Sequence, residues 1–171
     1  MPGLNDSKKL TPAKRDSLRA DLLQEPNINF YIAERSNQQI DQMGCYVALK
    51  DAYVEVFKAL YTEECQIIID GNLKFDHLGV DHMDKLSVIK ADSKYPTVMA
   101  ASILGKTYRD AEMVKLHQEF PEYDWASNKG YVNAIHTAAI HKYGPCKYHR
   151  YSYEPVKSFV KNNSQLSLSI K

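Results

Sequence analysis

The sequence predicts an α/β domain with a partly parallel or mixed sheet, on two observations. Short apolar runs at 28–34, 66–69 and 86–90 are rich in Ile, Val, Phe and Tyr, as strands are. They alternate with longer segments whose apolar residues recur at the helical period, and strands alternating with helices imply crossover connections. The 171 residues suit one domain, expected over 1–160, with a disordered tail at 161–171. With 44% hydrophobic and 25% charged residues, and only 7 Gly and 7 Pro, collagen-like and low-complexity chains are excluded. No apolar run approaches ~18 residues, so no membrane span is expected. MPGLNDSKKL has no apolar core after its charges and does not read as a secretory signal. Three dispersed cysteines (Cys45, Cys65, Cys146) form neither a zinc knuckle nor a disulfide framework, so a reducing, cytoplasmic setting is expected.

The elements follow in order. Thr11-Pro12 is a helix start, an N-cap acceptor followed by a proline whose missing N–H costs nothing there. Leu18, Leu22 and Leu23 mark a buried face up to Gln24, before Pro26-Asn27 ends the helix. INFYIAE, from Ile28 to Glu34, reads as a strand. Ser36 caps a long helix over 37–61, with Gly44 its weak point. Gln66 to Ile69 is a near-continuous apolar strand, covered on both faces, that ends at Asp70-Gly71. A polar loop to Asp84 leads to a second strand, Leu86 to Lys90, which closes at Asp92. After Pro96 a helix runs over 97–120, rich in small residues in its first half, and shorter helices are expected over 132–143 and 154–161.

The net charge of +1 hides an asymmetry. Residues 1–84 carry 9 Lys/Arg against 14 Asp/Glu, whereas residues 85–157 carry 11 against 7. Residues 125–153 hold Lys129, Lys142, Lys147 and Arg150, three histidines and six aromatic residues, and no carboxylate. Cations interleaved with aromatic rings suit a polyanion with stackable or sugar faces, which means nucleic acid. A solvated face with packed tyrosines is the other reading of this composition.

Asp70 and Asp92 each terminate a short apolar strand. If those strands are neighbours, both carboxylates open on one sheet edge. Convergent acids repel unless a cation lies between them, and hard divalent ions prefer such oxygen ligands together with water and phosphate. Two-metal phosphodiester hydrolysis uses such an arrangement, with ions ~3.5–4 Å apart. Alternatively, Asp70-Gly71 is a turn pair and Asp92 a helix-proximal cap.

Five ordered blocks resemble ribonuclease HII, of the RNase H-like superfamily. GLNDSKKLTPAKR resembles the family's G-[IL]-x-D-S-K-K-L segment, and IIIDGN its strand–D–G motif. IKADSKYPTVMAASILGKTYRD resembles K-[GA]-D-x-K-x-x-x-[IV]-A-A-A-S-I-x-A-K-x-x-R-D. SNKGYVNAIH resembles [HSN]-x-K-G-Y-x-T-x-x-H, and HKYGPCKYHRYSYEPV resembles G-x-x-x-x-H-R-x-S-F-x-P-V. The resemblance implies an RNase H-like mixed sheet flanked by helices. It also implies an Mn²⁺- or Mg²⁺-dependent endoribonuclease that cuts the RNA strand of RNA–DNA hybrids and incises duplex DNA at embedded ribonucleotides. A monomer is expected. Asp70 and Asp92 match two of the family's four metal-binding, catalytic acids. Lys129, Gly130 and Tyr131 match the segment whose tyrosine packs on a sugar, where 2′-OH sensing separates RNA from DNA. Lys94, Ser102, Lys106 and Arg109 match nucleic-acid-binding positions along the substrate-side helix, and Arg150 falls in the closing block. Lys106 and Arg109 read equally as surface partners of Asp110 and Glu112, and Ser102 as a packing residue.

The family's first motif, D-E-A-G-R-G, does not occur in the sequence. With it go two of the four acids and the first β-hairpin of the sheet, so Ile67–Ile69 and Ile28–Ile32 are expected to expose apolar faces. Three explanations are open: a fragment (favoured by the mid-motif start), a hairpin supplied by another polypeptide, or a remnant that binds hybrids without cutting them. Asp6, Asp76, Asp81 and Asp84 have no spacing that supports substitution, and His77 and His82 read as solvated loop residues rather than metal ligands.

Overall fold

A computed structural model describes residues 3–169, with side chains described up to Ser164. The chain folds as two compact units, Met1–Glu34 with Leu49–Tyr108, and Arg35–Ala48 with Arg109–Lys171.

In the first unit, Asp6 caps a 3-10 turn, Ser7–Lys9, by accepting from Lys8 N–H. Helix α1 (Pro12–Gln24) starts at Thr11, whose hydroxyl accepts from Lys14 N–H, as the Thr-Pro pair predicts. Leu18 and Leu22 are buried with Ile103 and Leu104. Strands β1 (Ile67–Asp70) and β2 (Lys85–Val88) pair in parallel, with Ile67 opposite Lys85 and Asp70 opposite Val88. Ile69 is buried among Phe57, Phe75, Val80 and Met83, so the expected exposure of the 67–69 run does not hold at Ile69, while Ile67 and Ile68 are half-buried. Leu86 and Ile89, by contrast, are exposed.

INFYIAE forms no strand, which corrects the sequence expectation. A β-prone run becomes a strand only with a neighbour to take its ladder bonds, and the sheet among the described residues consists of β1 and β2. Phe30 and Tyr31 of this segment are exposed, and Tyr31 donates its hydroxyl to Glu55. The second strand is also shorter than expected. It stops at Val88, and Lys90 turns the chain with φ +59°.

The helix expected over 37–61 is two helices, α2 (Asn37–Met43) and α3 (Cys45–Leu60), because Gly44 adopts φ +82°. Ser36 and Gln39 form a capping box at the start of α2. Helix α4 (Pro96–Glu119) continues through Gly105.

In the second unit a 3-10 turn (Pro121–Tyr123) and a four-residue helix, α5 (Trp125–Asn128), precede α6 (Ala134–Tyr143), which Asn133 caps through His136 N–H. Met113, Tyr123, Trp125, Ala139, Ile140 and Val156 form its core. Helix α7 (Val156–Ser169) runs past the end expected at 161, because no Gly or Pro interrupts KNNSQLSLS. The last two residues of the expected tail lie outside the described ones. The α/β class with a parallel strand pair is as predicted.

Candidate active site

In the first unit the parallel pairing brings the C-terminal ends of β1 and β2 side by side. Gly71 N–H donates to Val88 O at 3.0 Å, which ties the two strand ends together. Asp70 Oδ1 accepts from Ala91 N–H at 2.8 Å, so its carboxylate touches the residue next to Asp92. Asp92 lies in the 3-10 turn Ala91–Ser93, half-buried, with Lys8 Nζ 4.0 Å from its Oδ2. Tyr53 of α3 adds a wall that sequence reasoning missed. Burial first, then the charge of Asp70, pushes its hydroxyl above the usual tyrosine range.

Among the described residues no three His, Cys, Asp or Glu side chains gather as a metal cluster. A hard divalent ion held by one or two carboxylates, with water and phosphate completing its shell, needs no such cluster. Asp70 and Asp92 therefore fit the protein side of one such ion, while a two-ion centre needs more acid than they supply. Two acids of the loop between the strands have structural tasks. Asp81 accepts from His77 N–H and Asp84 from Gln66, and the ring of His82 meets that of Tyr61 edge-on.

The remaining candidates of this unit lie apart in their roles. Lys94 is exposed and donates to Ile89 O at 3.2 Å, next to the aspartate turn. Ser102 on α4 meets Ser7 hydroxyl to hydroxyl at 2.7 Å, which fastens the DSKKL turn to the helix. Lys106 is half-buried on α4.

In the second unit Arg109, Gly130, Tyr131 and Arg150 come together. The guanidinium of Arg109 is held below its ordinary range by burial and then by the charge of Arg150, with Tyr131 acting the opposite way. Two guanidinium groups that repel each other suit an anion placed between them. Arg150 also stacks over the Tyr153 ring at 4.0 Å. Lys129 closes α5 with φ +52° and donates its ammonium to Ala126 O, and Gly130 follows with φ +80°. A Cβ on Gly130 would lie 3.1 Å from Met113 Cε and 3.3 Å from an Arg109 Nη, so the turn requires glycine. The Tyr131 ring is 69% exposed, an unusual state for a large aromatic residue held on a tight turn.

Three fixing residues escaped sequence reasoning. Asn128, buried, donates to Tyr123 O and accepts from Gly130 N–H at 2.8 Å, bracketing the Lys-Gly-Tyr turn. Asp41 of α2 accepts from Tyr151 N–H at 2.7 Å and from the Ser152 N–H and hydroxyl, holding the loop that carries Arg150. Burial alone would raise the Asp41 carboxyl, but these hydrogen bonds and the charge of Arg150 outweigh it and lower it. Asn37 adds bonds to Lys147 O and His149 O, both at 2.9 Å.

The profile of the family described as Ribonuclease HII matches residues 1–156. The ribonuclease HII of Chlamydia trachomatis serovar D is 38% identical over 159 residues, covering 92% of this chain and 70% of that protein. That of Christiangramia forsetii is 40% identical over 151 residues, covering 88% and 74%. Among solved structures, the ribonuclease H2 of Pyrococcus horikoshii superposes with a TM-score of 0.76 at 22% identity, covering 94% of this chain and 81% of that one. A ribonuclease HII from Archaeoglobus fulgidus, solved as a complex with PCNA, gives 0.70 at 21%, covering 92% and 80%. Such low identities speak to fold, whereas the profile and the curated relatives speak to kinship: the chain belongs to the ribonuclease HII family of RNase H-type hydrolases, within the RNase H-like superfamily.

Proposed function

We propose that the chain binds RNA–DNA hybrids and duplex DNA with embedded ribonucleotides, and that Asp70 and Asp92 form the carboxylate side of its Mn²⁺- or Mg²⁺-dependent phosphodiester site. The supporting observation is the Ala91 N–H bond to Asp70, which joins the two aspartate-bearing segments at one end of a parallel strand pair. A divalent ion held there supplies Lewis-acid polarisation of a phosphoryl oxygen. Asp70 and Asp92 contribute negative charge for that ion, and the Ala91 bond fixes the rotation of one of them. Arg109, Lys129 and Arg150 attract and orient the phosphate backbone. Tyr131, exposed on a turn fixed by Asn128, packs on a sugar, and a ring in that position favours one lacking a 2′-OH. Lys94, next to the aspartates, adds a further phosphate contact, and Lys106 a second along α4.

A second reading is a protein that binds hybrids without cutting them, and the absence of a third acid beside Asp70 and Asp92 among the described residues favours it. One experiment separates the two. A duplex carrying a single ribonucleotide is incubated in Mn²⁺ with the chain as given, and with the chain preceded by a D-E-A-G-R-G hairpin. Cleavage by either form supports the nuclease. Binding without cleavage in both supports the second reading, and failure of both to bind refutes the proposal.

A further inference from the structure

Beneath the Lys-Gly-Tyr turn lies a buried chain of polar groups. Tyr131 O sits 3.1 Å from His136 Nδ1. His136 Nε2 faces Trp125 Nε1 at 3.3 Å and His149 Nε2 at 3.1 Å. His149 Nδ1 faces Cys146 N at 3.0 Å and Cys146 Sγ at 3.3 Å. Both imidazoles are buried.

The partners determine where each proton sits. A carbonyl only accepts, so His136 Nδ1 carries hydrogen and its Nε2 is a lone pair. That lone pair receives the indole N–H of Trp125, and also the hydrogen of His149 Nε2. His149 Nδ1 is then a lone pair, as the backbone N–H of Cys146 requires. Reversing either ring sets donor against donor or lone pair against lone pair. The chain therefore has one direction, from Cys146 through His149 and His136 to the Tyr131 carbonyl, with both rings neutral.

We propose that this directed relay holds the backbone of Tyr131, making His136 and His149 positioning residues for the ring that reads the sugar; this rests on the role of Tyr131 given above. A third proton has no place in it. On His149 Nδ1 it would meet the Cys146 N–H, and on His136 Nε2 it would meet two N–H groups. The groups packed around the pair agree. The Tyr123 ring lies 4.6 Å from that of His149, and burial, then Cys146 and Glu122, push its hydroxyl to about 12, so it stays neutral and donates to Gly144 O. Burial raises the Cys146 thiol, and the Trp125 ring, stacked on that of Tyr123, lies 5.2 Å from that of His149. Burial and then the neighbouring His136 hold His149 at about 4.

The test uses the full chain. Long-range ¹⁵N–¹H spectra at neutral pH should show His136 protonated at Nδ1 and His149 at Nε2, and either opposite tautomer overturns the relay. Affinity in EDTA is then compared for a duplex with one ribonucleotide and the same duplex in all-DNA form. His149→Asn keeps an acceptor for the Cys146 N–H but nothing to donate to His136, and its discrimination should fall by about fivefold. His149→Gln keeps a donor near the Nε2 position and should recover most of it. A purely structural histidine would move both variants alike, and equal loss, or no loss in either, overturns the inference. Discrimination by the unmodified chain should hold to about pH 5 and fail near 4, where His149 takes its proton. Tyr131→Ala is the control for the underlying reading. If it leaves discrimination intact, the role of Tyr131 falls and this inference with it, whereas wrong tautomers alone leave that role standing.

Discussion

Acid should unfold the second unit in a way that one side chain controls. His149 is 6% exposed and titrates at about 4 in the folded chain, against 6.5 when free. Its folded value lies below its unfolded one, so its neutral form contributes full stability above about 6.5. That contribution falls away as the pH drops toward 4, because the unfolded chain takes a proton that the native packing refuses. Each unit of separation is worth about 1.4 kcal/mol, which makes about 2 kcal/mol of stability lost between about pH 7 and about pH 4.5 through this group. His149→Gln removes the titration while filling much of the same space. Urea unfolding followed by the emission of Trp125, the chain's single tryptophan, reports on this unit because the indole packs against both imidazoles. The substitution lowers stability at every pH through lost packing, so the informative quantity is the slope. The wild type should lose about 2 kcal/mol more than the variant over that interval. Parallel pH profiles for the two proteins would refute the account of a buried, neutral His149.

Three further outcomes follow from the geometry. Gly130→Ala should cost about 1–2 kcal/mol by thermal melting and weaken duplex binding, since a residue at φ +80° would press its Cβ on Met113 and Arg109. Asp41→Ala should cost about 1–2 kcal/mol and lower affinity for every duplex alike, because it frees the Tyr151–Ser152 backbone beside Arg150 without touching Tyr131; a calorimetric scan and a binding titration check both effects. In a form of the chain that cleaves, Asp70→Asn should reduce the rate by about a thousandfold or more while leaving affinity in EDTA within a few-fold, read by single-turnover kinetics.

What the sequence revealed and what it hid divide along a physical line. Local rules worked wherever an interaction closes within a few residues. Thr11-Pro12 begins α1, Ser36 begins α2, and Gly44, an obvious weak point, breaks what was expected to be one helix. Asp70 was placed for the same reason, since it closes the 67–69 run, whereas Asp92 lies in a separate 3-10 turn past the end of β2. INFYIAE failed because a strand is a property of two segments, and its composition states a preference without naming a neighbour. Helix α5 is four residues held by long-range packing, below the length at which periodicity speaks. The polar fixers were the hardest to see. Asp41 reaches a loop 110 residues away, and nothing in the heptapeptide NQQIDQM distinguishes an aspartate that will bind three donors from one that will face water. His136 and His149 are 13 residues apart and visible in composition, but their direction depends on a carbonyl, an indole and a backbone amide that acquire meaning only once folded. Motifs thus record the groups whose identity chemistry restricts. The groups that aim them are restricted by geometry instead, and so a site can be legible in its reacting atoms while the scaffold that orients them is not.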